Sequence, residues 1–257
     1  MALTRLTSAN AIPDDSVANV KMANIVQSKN ILINGDMQVS QRGTSFTSNG
    51  YTLDRYTMDE STDGAVTVTQ DTDVPSGYGF AKSLKVDCTT ADASIGAAQY
   101  CGFTQLIEGQ NLQYLKYGTS SAQTLTLSFW VKSVKTGTYC VRFVKEAGSG
   151  TRYECPIEYT ISSASTWEKK TITIPGDTRS GKNITPSNGY GLEVKWVWMS
   201  GTNRVATPNT WATQGNVYGA SGVTLANIFS SASNNLYLTG CQLEVGTTAT
   251  EFEHRSY

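Results

Sequence analysis

The residues that could do chemistry in this chain are few and poorly spaced for it. The one histidine, His254, stands in the closing stretch TEFEHRSY. A nucleophilic triad built on it would need that tail held to sub-ångström tolerance beside a Ser or Cys. Carboxylates are more plentiful, and a glycosidase needs only two of them flanking one bond. Glu154 with Glu158, or Glu193 with Glu244, would sit at alternating strand positions opposite apolar rows, a pattern that reads as a solvated face. Phosphate loops are missing too: GYGLEVKW turns into a strand and opens no helix, so no amide groups converge on an anion. The five cysteines, Cys88, Cys101, Cys140, Cys155 and Cys241, are widely spaced and include no Cys-x-x-Cys pair. They read as free thiols serving as small apolar side chains in a protein made in a reducing cytosol, and not as a zinc site. No catalytic residue, metal set or cofactor is assigned, and the chain is expected not to be an enzyme.

Aromatic side chains are the more informative set, because sugar rings present apolar C–H faces that pack on Trp and Tyr. In YGLEVKWVWM, Tyr190, Leu192, Val194, Trp196 and Trp198 fall on one strand face, and the company of Leu and Val favours core packing. Trp130 faces away from the row Leu125, Leu127, Phe129 and Val131, and Trp211 lies in the loop-like NTWATQGN. Trp130, Trp211 and Trp198 are the candidate sugar contacts.

The elements that must position these residues are strands. Residues 1–28 lack Trp, Tyr and Phe and carry a Pro-Asp-Asp turn, so they are expected to form an arm whose order depends on a partner. From residue 30 short alternating runs are separated by Gly or Asn turns. They include GAVTVTQD, KSLKVDC, AAQYCGFTQLIEG, QTLTLSFWVKSV, GTYCVRFVKEAG, TRYECPIEYTI, TWEKKTITIPGD, GYGLEVKWVWMSG and NNLYLTGCQLEVG, with a short helix in GQNLQYLKYG. About ten strands without long helices predict an all-β domain over residues 29–257, an antiparallel β-sandwich of jelly-roll type, with a closed barrel as the alternative. The stretch NILINGDMQVSQRGTSF is expected to open it as a strand that breaks at Asn34-Gly35-Asp36.

Composition narrows the partners. Of the 257 residues, 16% are charged, for a net charge of -1, and no basic run tracks a phosphate backbone; nucleic acid is therefore not an expected partner. No apolar run reaches the length of a membrane helix, and Asp14 and Asp15 interrupt the region where a signal peptide would lie. The expectation is a chain without membrane insertion that stays unsecreted.

Three blocks carry a resemblance: NILINGDMQVSQRGTSFT with YTLDRY after it, LTLSFWVKS followed by TWEKKTITIPGD, and the closing LYLTGCQLEVGTTATEFEHRSY. Together they resemble phage virion proteins of the tail-fibre and receptor-binding type with a carbohydrate-module-like jelly roll. AIPDDSVANVKMANI is similar to the segment that recurs near the start of phage fibre subunits. The resemblance implies a fibre subunit, a homotrimer, assembled in the host cytoplasm and located in the virion. It would dock on other virion proteins through residues 1–28 and attach to host-surface glycan without catalysis. Alternatives are a purely architectural capsid- or tail-decorating protein and, third, a polysaccharide depolymerase. In the related carbohydrate-binding modules of families four and nine, acidic residues of the first and last strands help hold a structural calcium. The corresponding places here are Met37-Gln38 and Cys241-Gln242, which lack those charged oxygens. No tightly held metal is expected there, with Asp36 and Asp54 as spare candidates.

Overall fold

Alternation with a period of two builds the molecule. In LTLSFWVKS, Leu125, Leu127, Phe129 and Val131 enter the core while Trp130 and Lys132 stay half-buried on the other side; each buried aliphatic or Phe contributes about 1.5–3 kcal/mol of transfer free energy. The computed structural model describes residues 29–255 apart from 149 and 216. In chain order its strands are β1 (Ser45–Phe46), β2 (Gly50–Tyr51), β3 (Tyr56–Ser61), β4 (Ala65–Asp71), β5 (Ser83–Thr90), β6 (Tyr100–Glu108), β7 (Leu125–Ser133) and β8 (Gly137–Glu146). They continue with β9 (Arg152–Ile161), β10 (Glu168–Ile174), β11 (Tyr190–Ser200), β12 (Val205–Ala206), β13 (Ala212–Thr213), β14 (Gly219–Ala220) and β15 (Asn235–Val245).

Six strands form one sheet in the order β1-β4-β5-β15-β7-β10, and seven form another in the order β13-β9-β8-β11-β6-β3-β2. Pairing inside both sheets is antiparallel throughout. Their inner faces share one apolar core, centred on Trp196, Phe129, Phe103, Tyr159 and Tyr56. The protein is therefore a jelly-roll β-sandwich with open sheet edges, and the closed barrel does not form. Edge strand β10 carries Glu168, Lys169 and Lys170 at its start, charges that discourage pairing with another chain. The helix expected in GQNLQYLKYG is a 3-10 segment over Gly109–Leu115. The arm expected over residues 1–28 lies outside the described residues.

The opening stretch corrects one expectation. Residues 30–40 form no ladder: Ile31 N–H donates to the carbonyl of Leu243 at 2.8 Å and Cys241 N–H to that of Gly35 at 2.8 Å. Amide side chains take over the rest. Asn30 accepts from the N–H groups of Leu32 and Leu243, Gln105 both donates to and accepts from the Ile33 backbone, and Asn34 clamps Val39 and Asp54. A segment crossing between sheets must satisfy its buried backbone in some such way. Gly35 permits the crossing, since a Cβ there would lie 2.1 Å from the Cys241 carbonyl oxygen.

One end of the core is closed by charge. Lys145, on the inward face of β8, is fully buried and reaches Asp177 at 2.7 Å; Asp177 also holds Arg179 at 2.7 Å. Burial pushes the Asp177 carboxyl up, but hydrogen bonds from Arg179 and Lys145 outweigh it and leave the group below its ordinary 3.8. A folded pKa below the unfolded one contributes stability that is complete above the unfolded value and lost as pH falls through the folded one. Urea midpoints measured from pH 6 downward are thus expected to start falling near pH 4 and to keep falling below it. Asp177→Asn should flatten that slope. Glu60, raised by burial, works in the opposite sense.

Candidate functional site

The outer face of the seven-stranded sheet is divided into a covered and an open half. Over β8, β9 and β11 lies the excursion of residues 201–226, seated on a buried ionic network. Arg142 (2% exposed side chain) bonds Glu154 (1%) at 3.0 Å and Glu193 at 3.2 Å. Glu154 also accepts from Gly215 N–H at 2.6 Å and Val217 N–H at 3.3 Å. Tyr218 stacks on Tyr100 at 3.9 Å and receives the Arg142 and Lys195 cations on its ring, each at 4.8 Å. Lys195 completes the set by bonding Asp59 at 2.8 Å. Glu154 was expected on a solvated face; here it is the buried anchor of the excursion. Glu193 and Glu244 belong to different sheets, and Glu244 is occupied by Thr250 and Gln242.

The open half is a groove of about 430 Å³ over β3, β6 and the start of β11, within the range of roughly 300–1,000 Å³ usual for small-ligand sites. Alternation along β6 sends Thr104, Leu106 and Glu108 outward while Phe103, Gln105 and Ile107 turn to the core. Tyr190 was expected in the inward row of β11. A register shift between Tyr190 and Leu192 breaks that row, and the ring lines the groove instead, its hydroxyl donating to Val144 O at 3.1 Å. Tyr51, 60% exposed, stands at one wall with the Arg42 guanidinium 4.8 Å from its ring centroid. Leu106 adds an apolar surface 44% exposed.

Polar groups of both signs are fixed around these rings. Arg55 donates to both carboxylate oxygens of Glu108, at 3.1 and 3.3 Å. Asp54 accepts from Gln41 N–H at 2.6 Å and pairs with Arg42 at 3.8 Å. The Glu108 backbone N–H, and after it the Arg55 guanidinium, hold the Glu108 carboxyl below its usual range. At the floor lies Thr104, 4% exposed, whose hydroxyl has no hydrogen-bond partner among the described residues. That oxygen lies beneath the groove surface, where leaving a hydroxyl unmatched costs about 1–3 kcal/mol.

The sequence-level candidates fall elsewhere. Trp198 is fully buried, stacked on Phe103 at 5.8 Å beside the bulge at Val197/Met199, so sugar stacking is closed to it. Trp211 is 8% exposed, packs against Tyr117 and donates its indole N–H to Pro175 O at 2.7 Å; it plugs the core behind edge strand β13. Trp130 does face outward, on the opposite sheet, in a smaller cavity beside Tyr78 and His254. His254 is exposed, with Nε2 3.1 Å from Tyr78 O, and the five cysteines are buried and free. No group of three or more His, Cys, Asp or Glu is placed to hold a metal among the described residues. Gln242 spends its amide within the closing segment, accepting from Glu253 N–H and donating to Glu244 and Thr250.

No family model and no curated protein matches the chain. Among solved structures it is similar to the enzymatically active domain of tailspike protein 4 of bacteriophage CBA120, with 15% identity and a TM-score of 0.48, covering 84% of this chain and 21% of that one. The chain thus spans about a fifth of that tailspike structure. It is also similar to the family 11 carbohydrate-binding module of a cellulosomal cellulase of Clostridium thermocellum, with 11% identity and a TM-score of 0.39, covering 80% of this chain and 97% of that one. A third is the CBM22-1 xylan-binding domain of Paenibacillus barcinonensis Xyn10C, with 12% identity and a TM-score of 0.40, covering 87% and 100%.

Proposed function

We propose that the protein binds glycan without cleaving it, through the groove on the outer face of the seven-stranded sheet. The observation that carries this reading is a groove of small-ligand size in which the exposed Tyr51 and Leu106 stand beside two fixed Arg–carboxylate pairs. Sugars offer what such a groove needs: apolar C–H faces for the rings, and hydroxyls that donate to Glu108 and Asp54 and accept from Arg55 and Arg42. The two Arg–carboxylate pairs balance in charge, which suits neutral sugars. A glycosidase acid needs a carboxyl raised toward neutrality, whereas Glu108 is pulled the other way.

The setting follows from the sequence resemblance to phage fibre and receptor-binding proteins. In that setting the sandwich is the outward part of a virion subunit, trimeric, docked through residues 1–28, and made in the host cytoplasm. Weak single grooves would gain avidity from trimerisation and from many copies per particle. The test is a glycan array probed with the native chain and with Leu106→Ala, alongside a reducing-end assay on any glycan bound. Binding without release of reducing ends is expected. Leu106→Ala, at an exposed position of the groove, should keep its stability and lose about two- to tenfold in affinity, the worth of one apolar contact. Turnover, or affinity indifferent to Leu106→Ala, would overturn the reading.

A further inference from the structure

The six-stranded sheet carries its own cavity of about 230 Å³ on its outer face, lined by Tyr78, Trp130, Lys169, Glu251, Phe252 and His254. We propose that this cavity is a second saccharide site, separate from the groove and taking a single neutral hexose ring. Its floor is aromatic: Tyr78, 49% exposed, leans on Trp130 with centroids 4.3 Å apart and planes at 48°. The Trp130 indole N–H has no hydrogen-bond partner among the described residues, so a donor stands free beside a stacking surface.

Polar groups of opposite sign complete the rim. Lys169 is the cross-strand neighbour of Trp130, and Glu251 and His254 arrive from the closing segment. Neither Lys169 nor Glu251 is tied up in an ion pair among the described residues. A ring hydroxyl both donates and accepts and can use cation and anion together. A charged sugar would gain from one and be repelled by the other. The volume lies below the roughly 300–1,000 Å³ of whole ligand pockets, which suits one ring and not a chain.

Three separate segments are shaped to build this cavity. β15 bulges between Thr239 and Gln242, and Gly240 at the bulge has φ +61°; a Cβ there would lie 2.6 Å from Phe80 and 3.1 Å from Trp130. The bulge thus makes room for both rings, the usual way an extra residue re-aims its neighbours. Gly79, at φ +77°, brings the 74–82 loop against the His254 ring, and Phe80 packs edge-on against Phe252 at 5.0 Å.

The test is saturation-transfer NMR on the full chain with methyl glucoside, methyl galactoside and methyl mannoside. At least one hexoside is expected to bind, with affinity falling about tenfold in Tyr78→Ala and less in Lys169→Ala. Both side chains can be truncated at the surface without opening the core, unlike Trp130. Tyr114→Ala, at an exposed ring outside both the groove and this cavity, should leave hexoside binding unchanged. Absence of binding by all three hexosides overturns the proposal, as does a signal lost in Tyr114→Ala and kept in Tyr78→Ala. The groove is judged separately, on oligosaccharides.

Discussion

Arg142→Ala is expected to lower the free energy of unfolding by about 3–5 kcal/mol, the cost of leaving a buried carboxylate without its partner. That is a large share of the roughly 5–15 kcal/mol that holds a typical domain together. The guanidinium is 2% exposed and bridges Glu154 and Glu193. Its loss strands Glu154, whose carboxyl oxygens accept from the N–H groups of Gly215 and Val217. The excursion over β8, β9 and β11 should detach locally as well. Urea denaturation reads the first effect as a lower midpoint at similar slope, and hydrogen exchange at Tyr218 N–H, which donates to Arg204 O at 2.7 Å, reads the second. A loss below about 1 kcal/mol, the level of an exposed pair, would mean that water reaches the network.

Tyr51→Ala is the second large effect, and it falls on binding. The ring is 60% exposed and its contact with Arg42 is at the surface, so folding should be nearly unchanged. Affinity for a groove-bound oligosaccharide should fall at least about tenfold, or 1.4 kcal/mol, as expected for an aromatic anchor. Calorimetry with native and variant chains measures it. Unchanged affinity would remove the groove from recognition.

How much of this was legible in the sequence depends on the range of the interaction. The inward row of β7 and the outward placement of Trp130 follow from alternation, which is a property of one strand. Alternation also assigns Thr104 and Leu106 to the outward face of β6, but nothing local says that the face above them is left open. That is decided by residues 201–226, whose short strands lack a periodic signal and whose anchor Glu154 looked like an ordinary solvated carboxylate. Bulges defeat the pattern outright. One extra residue takes Tyr190 out of the core row and into the groove, and another lets both Trp198 and Met199 into the core. Trp211 followed turn-like neighbours into a loop assignment, while its burial is set by Tyr117 and Pro175, distant in sequence. The opening stretch reads as a strand because its apolar residues suit one; its true partners, Asn30, Gln70 and Gln105 side chains, leave no periodic trace.

Glycan recognition by the groove is tested most directly by amide chemical-shift mapping of the full chain titrated with a panel of neutral bacterial-surface oligosaccharides. The expected result is a saturable set of shifts at Arg55, Thr57, Thr104, Leu106 and Glu108, produced by at least one oligosaccharide. A panel that leaves those five amides unmoved, or that shifts only residues of the six-stranded sheet, would contradict it.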